Sequence, residues 1–248
     1  MFVIFPNPQA IADYLAKYIT QKIIANPATS LGLATGSTME PIYARLLQKV
    51  HTDQLDLSQL TTFNLDEYVG LGPDHPQSYY YFMQQHLFAA AGLTPAQVNL
   101  PCGVCADLEQ ECQDYAAKLK ALGGVDIQLL GIGSNGHIGF NEPGTPFDSV
   151  THVVELAPKT RRDNARFFDH VDDVPTHAIT MGIAEILAAK EIFLVATGRH
   201  KAEIMARLYS SAIDEQLPAS ALKQHAHLRI LVDAEAAELL PTHIKQVV

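Results

Sequence analysis

The stretch Gly131–Gly144 reads GIGSNGHIGFNEPG and follows the apolar run VDIQLL (Val125–Leu130). It holds five glycines, one histidine and one glutamate. Glycine lets a backbone take positive φ and approach a ligand closely. Imidazole titrates near neutrality, so His137 is a candidate proton carrier. Glu142 and Asn135 could orient the ring, Glu142 with charge and Asn135 without. A lone histidine is more often structural. One set between Gly136 and Gly139, beyond a buried strand, is less easily explained as packing.

Three other loops carry polar chemistry after apolar runs. ATGST (Ala34–Thr38) offers Gly36, Ser37 and Thr38 at a helix start, where N–H groups and hydroxyls cradle an anion. The plainer reading is an ordinary N-cap. No Lys follows as in a Walker loop, which speaks against a nucleoside triphosphate. ATGRHK (Ala196–Lys201) repeats the Thr-Gly form and adds Lys201 early in its helix. A cation there opposes the helix dipole unless it faces a bound anion. KTRRDNARFF (Lys159–Phe168), with Arg161, Arg162 and Arg166, is the densest basic stretch in an acidic chain. FNLDEYVGL (Phe63–Leu71) sets Asp66 and Glu67 at a strand end. Adjacent residues of an extended chain point to opposite sides, so one faces the cleft and the other supports it. A carboxylate beside a phosphate site is a candidate base for a carbon-bound proton.

These loops need a frame, and the apolar pattern supplies one. Phe2–Phe5, Ser30–Thr35, Leu60–Leu65, VDIQLLGIG, EIFLVATG and LRILVD read as strands, mostly continuous in apolar residues as in sheets covered on both faces. Between them, Ile11, Leu15, Ile19 and Ile23 mark a helix, as do MEPIYARLLQKV and DLEQECQDYAAKLKAL, the last ended by Gly123 and Gly124. SYYYFMQQHLF reads as a helix whose aromatic face belongs to the core. The expected fold class is α/β: a single domain over 1–248, with a mostly parallel sheet flanked by helices on both faces, Rossmann-like in a modified form. Ligands of such sheets sit beyond the carboxyl ends of the strands, where the unusual loops fall.

The 248 residues are 48% hydrophobic, with a net charge of −10. The charge argues against nucleic acid or an anionic membrane as partner. No run approaches the ~18 apolar residues of a membrane span, and MFVIFPNPQA lacks the marks of a signal peptide. The three cysteines, Cys102, Cys105 and Cys112, fit a reducing compartment better than a disulfide framework. CGVC (Cys102–Cys105) has CxxC spacing, but it sits in a loop after NLP and does not open a helix after a strand as a thioredoxin-like redox site would, and there is no second pair for zinc. With no HExxH and no Cys/His quartet, no metal and no cofactor are expected.

Taken together and in order, LGLATGST, FNLDEYVGL, HPQSYYYFM, GIGSNGHIGFNEPG, TRRDNARFFD and ATGRHKAE resemble the glucosamine-6-phosphate deaminase family over nearly the whole chain. The resemblance implies conversion of glucosamine 6-phosphate to fructose 6-phosphate and ammonia by a cytoplasmic enzyme. It implies that His137 opens the pyranose ring, assisted by Glu142 and Asn135, and that Asp66 carries the proton from C2 to C1. Gly36, Ser37, Thr38, Arg166 and Lys201 would hold the phosphate, and about 156–176 would form a lid. Some members carry Asp where this chain has Asn135, and Met39 stands where Pro is usual. Hexameric, allosteric members place Ser, Arg and Lys where this chain has Thr145, His152 and Val154, so a non-allosteric monomer or weak oligomer is expected. The 6-phosphogluconolactonases look similar in fold but lack FNEPG and usually have Arg where Tyr68 stands. Sugar-phosphate sensor domains of transcription regulators would bring a helix-turn-helix and a basic face, and neither is present.

Overall fold

Ile11, Leu15, Ile19 and Ile23 are buried along one face of helix α1 (Pro8–Ala25). Asn7 caps its start by accepting the Ala10 N–H at 2.9 Å, and Pro8 occupies the first turn, where its missing N–H is not needed. The computed structural model of the chain describes residues 2–157, 161, 168, 170 and 173–244. Arg162, Arg166 and most of the segment expected to form a lid lie outside them.

Seven strands form the main sheet: β1 (Phe2–Phe5), β2 (Ser30–Leu33), β3 (Thr61–Asn64), β5 (Val98–Asn99), β6 (Ile127–Leu130), β9 (Glu191–Ala196) and β10 (Leu228–Asp233). Their order is β1-β10-β9-β6-β2-β3-β5, and every neighbouring pair is parallel. The residues of β2 and β6 are buried without exception, so strands this apolar must lie between two helical layers. Among the described residues, the α-helices of five or more residues are α1, α2 (Glu40–Thr52), α3 (Tyr79–Met83), α4 (Leu108–Leu122), α5 (Ile183–Leu187) and α6 (Ala202–Ser210). Asp107 and Gly123 bound α4, the glycine at φ 74°, where a side chain would be strained.

A second, antiparallel sheet has no counterpart in the sequence reading. It runs β4 (Asp66–Tyr68), β8 (His177–Thr180), β7 (His152–Glu155). Leu65 joins the two sheets. Its N–H donates to Leu33 of the main sheet at 3.0 Å, and its carbonyl accepts from Met181, just past β8, at 2.6 Å. The chain thus leaves the parallel sheet after Asn64 and at once pairs Asp66 with Thr180. Nothing local predicts this, because DEY is three residues long and its partner lies more than a hundred residues away.

Two further corrections concern side chains. The SYYYFMQQHLF segment is helical, but α3 passes into a π turn over Gln84–Phe88, and Phe82 and His86 face a cavity. Although the cysteine count speaks for a reducing compartment over a disulfide framework, Cys102 and Cys105 are joined as a disulfide, while Cys112 is free and buried. No described helix is long and apolar enough to cross a membrane.

Candidate active site

A cavity of about 540 Å³ opens beyond the carboxyl ends of β2, β3, β6 and β9. It gathers Gly36, Ser37, Thr38, Asp66, His137 and Lys201, which are far apart in sequence. Asn135 and Glu142 are not on its wall but stand behind His137. Arg166 falls outside the described residues.

The end of the cavity expected to hold an anion is built from two loops. After β2 the chain turns at Gly36, with φ 101°, a conformation that disfavours any side chain. The Gly36 carbonyl accepts from Met39, which is wholly buried and anchors the turn just before α2. After β9, Gly198 turns at φ 84° and its N–H donates to both carboxylate oxygens of the buried Asp233, at 3.0 Å each. Asp233 ends the neighbouring β10, so one strand end fixes the loop of the next. Lys201 follows, its ammonium donating to the Ile132 carbonyl at 2.8 Å. That bond ties a cation of the β9 loop to the β6 loop, and both line the same cavity.

The β6 loop curls back on itself. The Gly133 N–H donates to the His137 carbonyl at 2.9 Å and the Gly136 N–H to that of Gly133 at 3.0 Å. A β-carbon on Gly133 would fall 2.1–2.3 Å from three atoms of the His137 ring. The ring therefore lies on the space that glycine leaves empty. Behind it, His137 Nδ1 faces Glu142 Oε1 at 3.6 Å. The other oxygen of Glu142 accepts from the Asn135 amide at 2.6 Å, and the Asn135 oxygen accepts from the His137 N–H at 3.2 Å. Asn135 thus holds the carboxylate and the histidine backbone at once, which its amide can do because it both donates and accepts.

Asp66 and Glu67 divide as alternation along a strand requires. Asp66 reaches the cavity and is only 6% exposed, while Glu67 turns away and is 3% exposed. Burial first, and then the adjacent Glu67 charge, push the Asp66 carboxyl up to about 8. Burial also raises Glu67, against the pull of three backbone N–H groups, from Tyr68, Tyr79 and Tyr80 at 2.8–2.9 Å. Two of those donors open α3, so Glu67 docks that helix start onto the Asp66 strand. Gly139 sits beside them: a β-carbon there would lie 2.9 Å from Thr180 Oγ1 and 3.3 Å from Asp66 Oδ2.

The sequence reading missed His86, Gln77 and His200, which line the cavity, and the part Asp233 plays. The strand-end position of Asp233 was a usable signal. For His86 there was none, because a π turn leaves no mark in residue type. Among the described residues no cluster of three or more His, Cys, Asp or Glu could hold a metal.

The comparisons agree with this geometry. Residues 7–231 match the family model described as glucosamine-6-phosphate isomerases/6-phosphogluconolactonase. A glucosamine-6-phosphate deaminase of Bacillus pumilus is 49% identical over 95% of this chain and 98% of its own. Another, of Geobacillus sp., is 46% identical over 97% and 96%. A solved structure of a monomeric glucosamine-6-phosphate deaminase superposes with a TM-score of 0.93 at 44% identity, over 96% of this chain and 99% of that one. The 6-phosphogluconolactonase of Trypanosoma cruzi shares the fold, with a TM-score of 0.76 at 20% identity over 96% of each chain. Fold, loop order and close relatives converge, and the chain belongs to the glucosamine-6-phosphate isomerase/6-phosphogluconolactonase family, within it to the glucosamine-6-phosphate deaminases.

Proposed function

We infer that the chain converts glucosamine 6-phosphate and water into fructose 6-phosphate and ammonia. The observation that supports the reading is the convergence, on one cavity, of a buried carboxylate, a histidine backed by a carboxylate, and a turn of Gly36, Ser37 and Thr38 with a lysine. The phosphate sits at Gly36, Ser37, Thr38 and Lys201 and fixes the reacting carbons against the other wall. His137 moves the proton that opens the pyranose ring, with Glu142 and Asn135 setting its orientation. Asp66, as carboxylate, takes the proton from C2 of the open aldehyde and returns it to C1. C2 is then an imine, water adds to it, and ammonia leaves. A base that titrates near 8 suits a weakly acidic C–H better than an ordinary carboxylate does.

We assign this activity to a cytoplasmic monomer without allosteric control. Thr145 is engaged locally, its hydroxyl donating to the Glu142 carbonyl at 2.7 Å, and His152 and Val154 replace two cations of the regulated members. The test is ammonia and fructose 6-phosphate formed from glucosamine 6-phosphate without added metal. Equal amounts of both, on a hyperbolic rate curve unchanged by N-acetylglucosamine 6-phosphate, are expected. Hydrolysis of 6-phosphogluconolactone in place of ammonia release would reject the assignment.

Gly133→Ala checks the ring's seat without removing an acid or base. The atoms nearest the new methyl are those of the His137 ring, which must shift, so the melting temperature should stay within about 2 °C while kcat falls roughly 10–100-fold. Unchanged kcat would mean that the ring works from another position.

A further inference from the structure

The CGVC motif does not line the cavity, yet the fold places it against the strand that carries Asp66. Cys102 and Cys105 are half-buried, and Val104 between them is 54% exposed, so the pair lies open to small molecules. Their Cα atoms are 5.6 Å apart, the ordinary separation for a disulfide. Gly103 packs on backbone: a β-carbon there would stand 2.0 Å from the Tyr68 carbonyl oxygen, and its own carbonyl accepts the Gly70 N–H at 2.8 Å. Tyr68 ends β4, two residues past Asp66. Glu111, in the first turn of α4, accepts the Cys102 N–H at 3.0 Å and stands 3.8 Å from Cys105 Sγ. The turn is thus held on one side by the Asp66 strand and on the other by a helix start.

We propose that Cys102 and Cys105 form a reversible dithiol–disulfide site, oxidised by low-molecular-weight disulfides, whose closure tightens the turn that backs β4. Disulfides in reducing compartments are mostly transient and redox-sensing, which reconciles the closed pair with an otherwise disulfide-free chain. One thiolate attacks a sulfur of the small disulfide, breaking its S–S bond, releasing one small thiolate and leaving a mixed disulfide. The second protein thiolate attacks the protein sulfur of that bond, joins Cys102 to Cys105 and releases the other small thiolate. The protein loses two electrons and two protons, and the small disulfide becomes two thiols. Glu111 bears on the balance: from 3.8 Å it can accept the Cys105 S–H only in the dithiol.

The full chain is equilibrated in reduced and oxidised glutathione at ratios from about 1000:1 to 1:1, blocked with iodoacetamide and weighed intact. One two-electron transition is expected, with two fewer alkylations in the oxidised state and no glutathione left on the protein. In the same samples, hydrogen exchange at the Gly70 amide should slow roughly tenfold on oxidation. Cys105→Ser should abolish the transition and keep the fast Gly70 exchange in every buffer. Full alkylation at all ratios, a lasting glutathione adduct, or a transition that leaves Gly70 unchanged would overturn the proposal. No turnover is read, so the outcome is independent of the activity assigned to the cavity.

Discussion

Asp66→Asn should lower kcat by about 10²–10⁴-fold, the range of a positioned acid–base group, and at the same time make the protein more stable at pH 8. Both follow from burial. The parent carboxyl ionises near 8 in the fold against an ordinary value of 3.8. Between those values the unfolded chain has released the proton and the folded chain still holds it. The folded state therefore binds more protons, and stability falls as pH rises through that window. This group's contribution is fully present below about pH 4 and lost by the time pH passes 8. Asn carries no such charge, so the variant's advantage should be small at pH 4 and grow towards pH 8. A penalty of even ~2 kcal/mol would move the melting midpoint by roughly 4–8 °C in a chain of this size. Thermal melts of both proteins across that range check the sign.

In the parent, the same titration should appear as a rise of kcat/KM through pH 8, because that ratio reports the free enzyme. Glu67→Gln removes the neighbouring charge and should shift the rise to lower pH, while weakening the bonds from Tyr79 and Tyr80 that dock α3. A rise that stays in place in Glu67→Gln would mean that Glu67 only supports the helix start.

His137→Gln has the second large effect, a fall in kcat of about 10²–10⁴-fold, but of a different kind. If His137 opens the ring, its loss makes ring opening rate-limiting and leaves C2 deprotonation fast. Substrate deuterated at C2 should then show an isotope effect close to one in His137→Gln and a full effect in Asp66→Asn. The geometry explains why other residues should not compensate. Glu142 lies 3.6 Å behind the ring and Asn135 is occupied between Glu142 and the His137 N–H, so neither replaces it at the cavity wall. Removing Glu142 or Asn135 should cost less than removing His137. A kcat for His137→Gln within about threefold of the parent, or a large isotope effect in it, would take ring opening away from this residue.

How much of this was legible varies by element. Ile11, Leu15, Ile19 and Ile23 announce α1, and the inner strands announce themselves as short, mostly apolar runs, because both patterns follow from local geometry and burial. The strands of the second sheet do not. HVVE alternates over only four residues, and DEY begins with two carboxylates that do not favour strands. Their pairing with β8 rests on contacts across more than twenty and more than a hundred residues respectively. The CGVC spacing was visible, but whether its sulfurs meet depended on how Gly103 packs against the Tyr68 carbonyl.

The sequence by itself determined the order of the loops, the residue types each presents and the end of the sheet where they gather, since composition and periodicity act locally along the chain. It also required that Asp66 and Glu67 face opposite ways. Only the tertiary structure decided which of them meets the cavity, that His86 joins its wall, and that the His137 ring rests on Gly133. Those outcomes turn on which distant strand supplies Thr180, where a helix gains a residue per turn, and what space a missing side chain leaves. They are fixed by packing between segments far apart in the chain, which no local pattern encodes.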